Sequence, residues 1–78
     1  MKNENYYEKT RKILEDNIIR LMMEKNLTAG ALSIRIEKNE WYITRMLEGK
    51  HNPSLQVICK MAEELRVSVA DLLTKKEG

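Results

Sequence analysis

Residues 39–55, which read NEWYITRMLEGKHNPSL, decide the fold. Asn39 is among the preferred N-cap residues of a helix, and Gly49 is the preferred residue just beyond a helix end. We therefore predict a short helix over residues 40–47. Its outer face carries polar side chains and Trp41, the single tryptophan of the chain. An exposed tryptophan on so short a helix calls for a functional explanation.

A small basic loop, residues 50–52, follows this helix and leads into Pro53. Proline disfavours helical geometry at the residue before it, so the loop cannot continue the helix. Ser54 is the predicted N-cap of a fourth helix. Cys59 is expected on that helix as a small buried side chain. The predicted core stripe of the fourth helix is Leu55, Ile58, Ala62 and Leu65.

Another short helix precedes the quoted stretch, from Thr28 as N-cap to about Ile36. Glu37 and Lys38 provide a tight connection to the helix at 40–47. Ser33 is small enough to let the two backbones approach. Two short helices with a brief connection between them form a helix-turn-helix. The residues expected to pack across the crossing are Leu32, Ile36, Ile43 and Met46.

The outer segments predict two more helices. The pattern Asn5-x-x-Glu8 starts the first helix, which is expected to end near Asn26. The pattern Ser68-x-x-Asp71 is a capping box for a short fifth helix that ends near Leu73. The first helix buries one stripe, and the fold class is all-α, with five helices and no strands. That stripe is Leu14, Ile18, Leu21 and Met22.

Length and composition narrow the classes of function. A chain of 78 residues buries only roughly 60–65% of its unfolded surface, so core residues are scarce. One cysteine forbids an internal disulfide, and one cysteine with one histidine does not suit a closed zinc site. No signal sequence, membrane span or catalytic motif is evident. We expect a cytoplasmic protein that is not an enzyme and needs no cofactor, metal or small-molecule substrate.

From Ile18 to Leu73 the chain resembles the Cro/phage-repressor type of helix-turn-helix domain, the XRE family. The resemblance implies a compact five-helix lambda-repressor-like domain. The length of the chain predicts one domain over 1–78, in which residues 1–17 extend the first helix and 74–78 form a frayed tail. The matching residues are Ile18, Leu21, Leu27, Leu32, Ile36, Ile43-Thr44-Arg45-Met46, Gly49-Lys50, Asn52-Pro53-Ser54-Leu55, Met61-Ala62, Leu65, Val67-Ser68 and Asp71-Leu72-Leu73.

The resemblance implies that double-stranded DNA is the partner, with the helix at 40–47 in the major groove. Arginine suits the two acceptors of guanine, and helix starts and basic loops suit phosphates. The implied base contacts are Glu40, Trp41, Thr44 and Arg45. The implied phosphate contacts are Thr28, Lys38, Asn39, Tyr42, Lys50, His51 and Asn52.

The chain departs from the family pattern at three positions. Ala29 replaces a frequent glutamine that contacts phosphate, Glu37 replaces the turn glycine, and Lys38 replaces an apolar residue that plugs the turn. Two interpretations of Trp41 remain open at this point. Its ring contacts DNA, or it folds back over the turn and replaces the missing plug at Lys38.

The expected function is a small sequence-specific transcriptional regulator, acting as a repressor. One module makes few contacts, so we expect a homodimer that reads two half-sites. Its interface would use Tyr6 and Tyr7, or Val69 and Leu73. The alternative is a protein-interaction module that kept the fold and lost DNA binding, because the net charge is only +2. The sequence does not separate a mobile-element regulator from an antitoxin.

Overall fold

A computed structural model describes residues 5–76 and contains five α-helices. Helix α3 packs mainly on α2, and α1 packs on α5, which brings the two ends of the helical region together. No strand occurs within the described range, so the all-α prediction is confirmed. The helices are α1 Tyr6–Glu24, α2 Ala29–Arg35, α3 Tyr42–Leu47, α4 Leu55–Leu65 and α5 Val69–Leu73.

Four helices begin where their capping residues predicted. In each case a side-chain oxygen accepts a hydrogen bond from the backbone N–H three residues ahead, which would otherwise lack a partner within the helix. The N–H···O distances are between 2.8 and 3.1 Å. The capping residues are Asn5, Thr28, Ser54 and Ser68.

The predicted start of α3 was wrong by two residues. The helix begins at Tyr42, not at Glu40. The Asn39 carbonyl accepts from the Tyr42 N–H at 3.1 Å, and the Asn39 side chain accepts from the Trp41 N–H at 2.9 Å. Both bonds close a tight turn over residues 39–42, so Asn39 caps this turn and not the first α-helical turn.

Left-handed residues end several helices. Asn26 (φ 54°) follows α1 and Gly49 (φ 82°) follows α3, as predicted. Glu37 (φ 67°) stands in the connection between α2 and α3, where the family has glycine, and Arg66 (φ 62°) ends α4. A side chain with a Cβ costs roughly 1–2 kcal/mol in this region, and because Glu37 and Arg66 are both exposed, the rest of the fold must offset that cost.

One core unites all five helices, and the predicted stripes of α1, α2 and α3 are confirmed. The predicted stripe of α4 was partly wrong, because Leu55 is 70% exposed and Ile58 is half-buried. Cys59, expected to be buried, is exposed. It lies two residues from both Val57 and Met61, about 200° around the helix from each of them. The buried residues of α4 are Val57, Met61, Ala62 and Leu65.

A buried asparagine joins the first and last helices. Asn17 on α1 is 3% exposed, and its Nδ2 donates to the carbonyls of Leu72 at 2.8 Å and Thr74 at 3.0 Å. These carbonyls belong to the end of α5, where no further helical turn supplies donors. Asn17 therefore completes the hydrogen bonding at the end of α5.

Candidate nucleic-acid interface

Helix α3 has one buried and one open face. Ile43 and Met46 are at most 1% exposed and anchor the helix in the core. Glu40, Trp41 and Arg45 are exposed on the same segment, and Thr44 is partly exposed. All four predicted base-contacting residues are thus accessible on, or just before, a helix of a size that fits the major groove.

A buried hydroxyl from α2 holds the start of α3. Ser33 is fully buried, and its Oγ accepts from the Ile43 N–H at 2.9 Å. The same hydroxyl donates to the Ala29 carbonyl at 2.7 Å, one turn back in α2. The residue preceding α3, Trp41, makes no side-chain capping bond. Ser33 thus takes the role of a cap from another helix and fixes the angle between α2 and α3.

Trp41 does not plug the turn. Its side chain is 55% exposed and stands outside the hydrophobic core. Near the turn, the Lys38 ammonium instead lies over the Tyr42 ring, 5.4 Å from its centroid. A cation at this distance is attracted to the face of an aromatic ring. The structure therefore contradicts the plug interpretation, and contact of Trp41 with DNA stays a prediction.

The loop at residues 50–52 packs against the first turn of α3. The rings of Tyr42 and His51 lie with centroids 4.4 Å apart, and the Nε2–H of His51 donates to the Tyr42 carbonyl at 3.1 Å. Partial burial raises the pKa of the Tyr42 hydroxyl, so it stays protonated as a hydrogen-bond donor at neutral pH. Lys38, Tyr42 and His51 thus form one continuous surface beside α3.

Arg11 of α1 fixes this loop from behind. Its side chain is 13% exposed. One guanidinium nitrogen, Nη2, donates to the carbonyls of Met46 at 2.6 Å and His51 at 3.0 Å. Nη1 donates to the Asn52 side chain, which also accepts from the Tyr7 hydroxyl. The end of α3 and the loop are therefore both bonded to α1.

Further bonds hold the Arg11 side chain in place along its own helix. Its Nε donates to Glu15 at 2.7 Å, and its Nη1 donates to the Tyr7 hydroxyl at 3.1 Å. The hydrogen bonds to Tyr7 and then to Glu15 raise the pKa of Arg11 further. The guanidinium is thus charged at every physiological pH, and both ends of its planar fork are oriented.

Two acidic residues near this surface, Glu37 and Glu48, are paired with lysines. Glu37 in the turn accepts from Lys60 of α4 at 2.7 Å, and this hydrogen bond lowers the pKa of the Glu37 carboxyl. The Oε1 of Glu48 lies 3.9 Å from the Nζ of Lys50. Both pairs are exposed, so they contribute little to stability. They do reduce the local repulsion that Glu37 and Glu48 would exert on a polyanion.

The remaining predicted phosphate contacts lie at the edges of this surface. Thr28 and Asn39 are exposed, although one oxygen of each is engaged in its local capping or turn bond. Lys50 is exposed in the loop at residues 50–52. Asn52 uses its Oδ1 toward Tyr7 and Arg11, and the opposite end of its amide is a donor.

Sequence reasoning missed Arg11, Asn17 and the bonding role of Ser33. Tyr7, Arg11 and Glu15 are spaced four residues apart on α1, which indicates a shared helix face. That spacing was the available signal for Arg11. No local pattern marks Asn17, whose acceptors are more than fifty residues away along the chain.

No helix among residues 5–76 combines the length and the apolar character that crossing a membrane requires. Within the same range, histidine, cysteine and acidic side chains do not gather into a group that could hold a metal ion.

Comparison with known proteins agrees with this geometry. An uncharacterized HTH-type transcriptional regulator of Sinorhizobium fredii, y4dJ, is 31% identical over 64 residues, which is 82% of this chain and 83% of the relative. The crystal structure of the hypothetical transcription factor NHTF from Neisseria superposes with a TM-score of 0.80. NHTF is 21% identical to this chain, and the match covers 96% of this chain and 86% of NHTF. This likeness shows that the two proteins share a fold. The sequence profile of the helix-turn-helix family matches residues 18–72. The chain therefore belongs to the helix-turn-helix family, in its Cro/phage-repressor (XRE) branch.

Proposed function

We propose that this protein is a sequence-specific binder of double-stranded DNA that acts as a small transcriptional repressor in the cytoplasm. Helix α3 enters the major groove, where Glu40, Trp41, Thr44 and Arg45 read base edges. The loop at 50–52, with the predicted contacts at residues 28, 38, 39 and 42, binds phosphates. Occupying a promoter blocks polymerase, so the function needs no catalysis, cofactor or small-molecule substrate.

One observation carries the proposal. The buried face of α3 is locked into the core by Ile43 and Met46, while Arg45 projects into solvent between them in sequence. A rigid short helix with an exposed arginine matches the geometry of bidentate guanine recognition. The family membership and the name of the Sinorhizobium relative support the same function.

We also propose that the protein binds DNA as a homodimer. The two candidate interfaces, around Tyr7 and around Leu73, border a single apolar groove of about 190 Å³ between α1, α4 and α5. Tyr6 is 85% exposed at the edge of this region. A second copy that covers this groove would bury aromatic and aliphatic side chains. Two half-sites would then lie roughly 34–36 Å apart, one turn of DNA.

The first experiment selects bound sequences from randomised duplexes at moderate salt. We expect an enriched inverted repeat whose half-site spacing reports the dimer. An enriched single half-site would remove the dimer from the proposal. No enrichment by protein that is folded in circular dichroism would contradict DNA reading altogether.

The Arg45→Ala variant then tests the placement of α3. We expect binding to the selected site to weaken by about 1–3 kcal/mol, with relaxed preference at one base position. Lys12→Ala is the matched control, because it removes one exposed positive charge from α1. Equal affinity and an unchanged preferred site in Arg45→Ala would show that another element reads the bases.

The alternative of a protein-interaction module has one specific observation in its favour. The exposed Trp41 follows the acidic Glu40, and tryptophan is the residue most enriched at the energetic centres of protein interfaces. Salt dependence separates the two functions. Duplex binding through several phosphate contacts falls by orders of magnitude between about 50 and 200 mM salt, whereas an interaction module binds no duplex.

A further inference from the structure

Arg11 lies outside the part of the chain that the family profile matches, residues 18–72. It nevertheless contacts the candidate interface at two separate places. One is the Met46 carbonyl in the last turn of α3, and the other is the loop, through the His51 carbonyl and the Asn52 side chain. The extension of α1 therefore bonds directly to the elements proposed to meet DNA.

We propose that Tyr7, Arg11 and Glu15 form a brace that positions the loop at 50–52 for phosphate binding, with Arg11 as the positioning residue. This inference rests on the proposed DNA-binding function and assigns a part of it to the N-terminal extension of α1. Arg11 itself does not contact DNA in this scheme, because its donors are engaged by protein groups on the inner side of the loop.

The bonding pattern distinguishes a brace from an ordinary surface ion pair. Arg11 donates to two backbone carbonyls and to side chains on both sides of it, and it is mostly buried while doing so. Only a planar guanidinium offers five donors in this fixed arrangement. Glu15 holds Nε from one side, and the Tyr7 hydroxyl bonds both Arg11 and Asn52 from the other.

The loop has few other anchors. Gly49 and Lys50 donate to the carbonyls of Met46 and Arg45, both at 2.9 Å, which is the usual bonding at the end of a helix. His51 adds its contact with Tyr42. Without Arg11, the carbonyl of His51 loses its bond to α1, and the side chain of Asn52 keeps only the bond from the Tyr7 hydroxyl. Ordering the loop would then cost conformational entropy at the moment of binding.

Two measurements on purified Arg11→Met test the brace. In duplex titrations across a range of salt, we expect about tenfold weaker binding to all sequences, with a salt slope shallower by about one. Base preference should stay the same, because Arg45 is unaltered. Lys12→Met, which removes the neighbouring positive charge, is the control and should bind nearly as the unmodified protein does.

Amide hydrogen exchange in the absence of DNA supplies an internal reference. Lys50 donates to the Arg45 carbonyl at the end of α3, and Val67 makes the equivalent bond to Ala62 at the end of α4. Loss of the brace should speed exchange at Lys50 at least tenfold relative to Val67. General destabilisation would change both amides together, so equal changes would overturn the proposal.

Two further variants keep the test decisive if Arg11→Met does not fold. Arg11→Lys keeps the charge but loses the fork, and it should resemble Arg11→Met more than the unmodified protein. Tyr7→Phe removes only a hydroxyl and should shift the same measurements in the same direction, by less. Binding and relative exchange identical to those of Lys12→Met would overturn the brace. Failure of the unmodified protein to bind any duplex would overturn the proposed function, while exchange at Lys50 still decides whether the brace orders the loop.

Discussion

Helices α3 and α5 are the two shortest in the structure, with six and five residues, and they begin in opposite ways. Helix α5 carries its own complete capping box, in which Ser68 and Asp71 exchange bonds with each other's backbone. Helix α3 has no side-chain cap of its own, and Ser33 of α2 bonds the Ile43 N–H in its place. One helix start is secured locally and the other by tertiary structure.

This difference separates a scaffold helix from the helix that we propose to contact DNA. Trp41 stands at the N-cap position of α3, and both Trp41 and the preceding Glu40 are exposed on the candidate interface. Because the bond comes from inside the protein through Ser33, the outer side of the turn is free for Glu40 and Trp41. In α5, the capping side chains occupy the outer surface themselves.

The largest expected effect comes from Ser33→Ala. The buried N–H of Ile43 would lose its acceptor, which costs about 1–3 kcal/mol of unfolding free energy. Urea denaturation measures that loss, and duplex binding should weaken as well, because the angle between α2 and α3 relaxes. Stability unchanged within error would show that the start of α3 does not depend on α2.

Ser68→Ala tests α5, the helix that is capped by its own residues. Loss of this N-cap should cost about 1 kcal/mol of unfolding free energy, the typical value for a serine cap. Affinity for the selected duplex should fall less than in Ser33→Ala under conditions where the variant is folded, because α5 carries none of the residues proposed to contact DNA. A drop in affinity as large as that of Ser33→Ala would abolish the distinction between the two helices.

The smallest expected effect on stability comes from Asp71, the second residue of the capping box of α5. The backbone N–H and the hydroxyl of Ser68 lower the pKa of Asp71 below its ordinary value of 3.8. Because the pKa is lower in the folded state, the Asp71 carboxylate stabilises the fold at pH values above its ordinary pKa. This stability is lost as the pH falls through the pKa of the folded state. Asp71→Asn should therefore lower the melting temperature slightly at pH 7.

Once the pH falls below the pKa of Asp71 in the folded state, that difference between Asp71→Asn and the unmodified protein should disappear, because Asp71 is then protonated in both folded and unfolded chains. Asp16→Asn on α1 is a suitable control for the loss of one charge. A melting-temperature difference that persists unchanged at acid pH would assign the effect to packing and not to the carboxylate.

Local signals predicted most of the fold. Helix caps and apolar periodicity act over a few residues, so sequence spacing alone was enough to predict the helices. The signals were Ser54, Ser68, Gly49 and the apolar stripe of α1. The start of α3 was mispredicted because Asn39 closes a turn, and the capping bond comes from Ser33, ten residues earlier. The prediction that Cys59 is buried was wrong because apolar residues occur on more than one face of α4, and the sequence does not show which face packs against the core.

In the candidate site, too, local patterns predicted some features and missed the contacts between distant residues. Exposure of Arg45 followed from helical periodicity around Ile43 and Met46, whereas the sequence left the placement of Trp41 open. The contacts of Arg11 join residues 35 and 40 positions apart, which no local pattern encodes. Contact with DNA at each named residue stays a prediction that the Arg45 and Arg11 variants address.

The bond between Asn17 and the end of α5 has a consequence for synthesis of the protein. Its partners are 55 residues apart, and Leu72, which completes the core beside α1, is among the last core residues made. At about 5–20 residues per second, roughly 3–11 seconds separate the emergence of the two. During that interval α3 lacks the closed core on which its buried face packs. In a nascent chain, the surface proposed to bind DNA therefore gains a complete core beneath it only once α5 has been made.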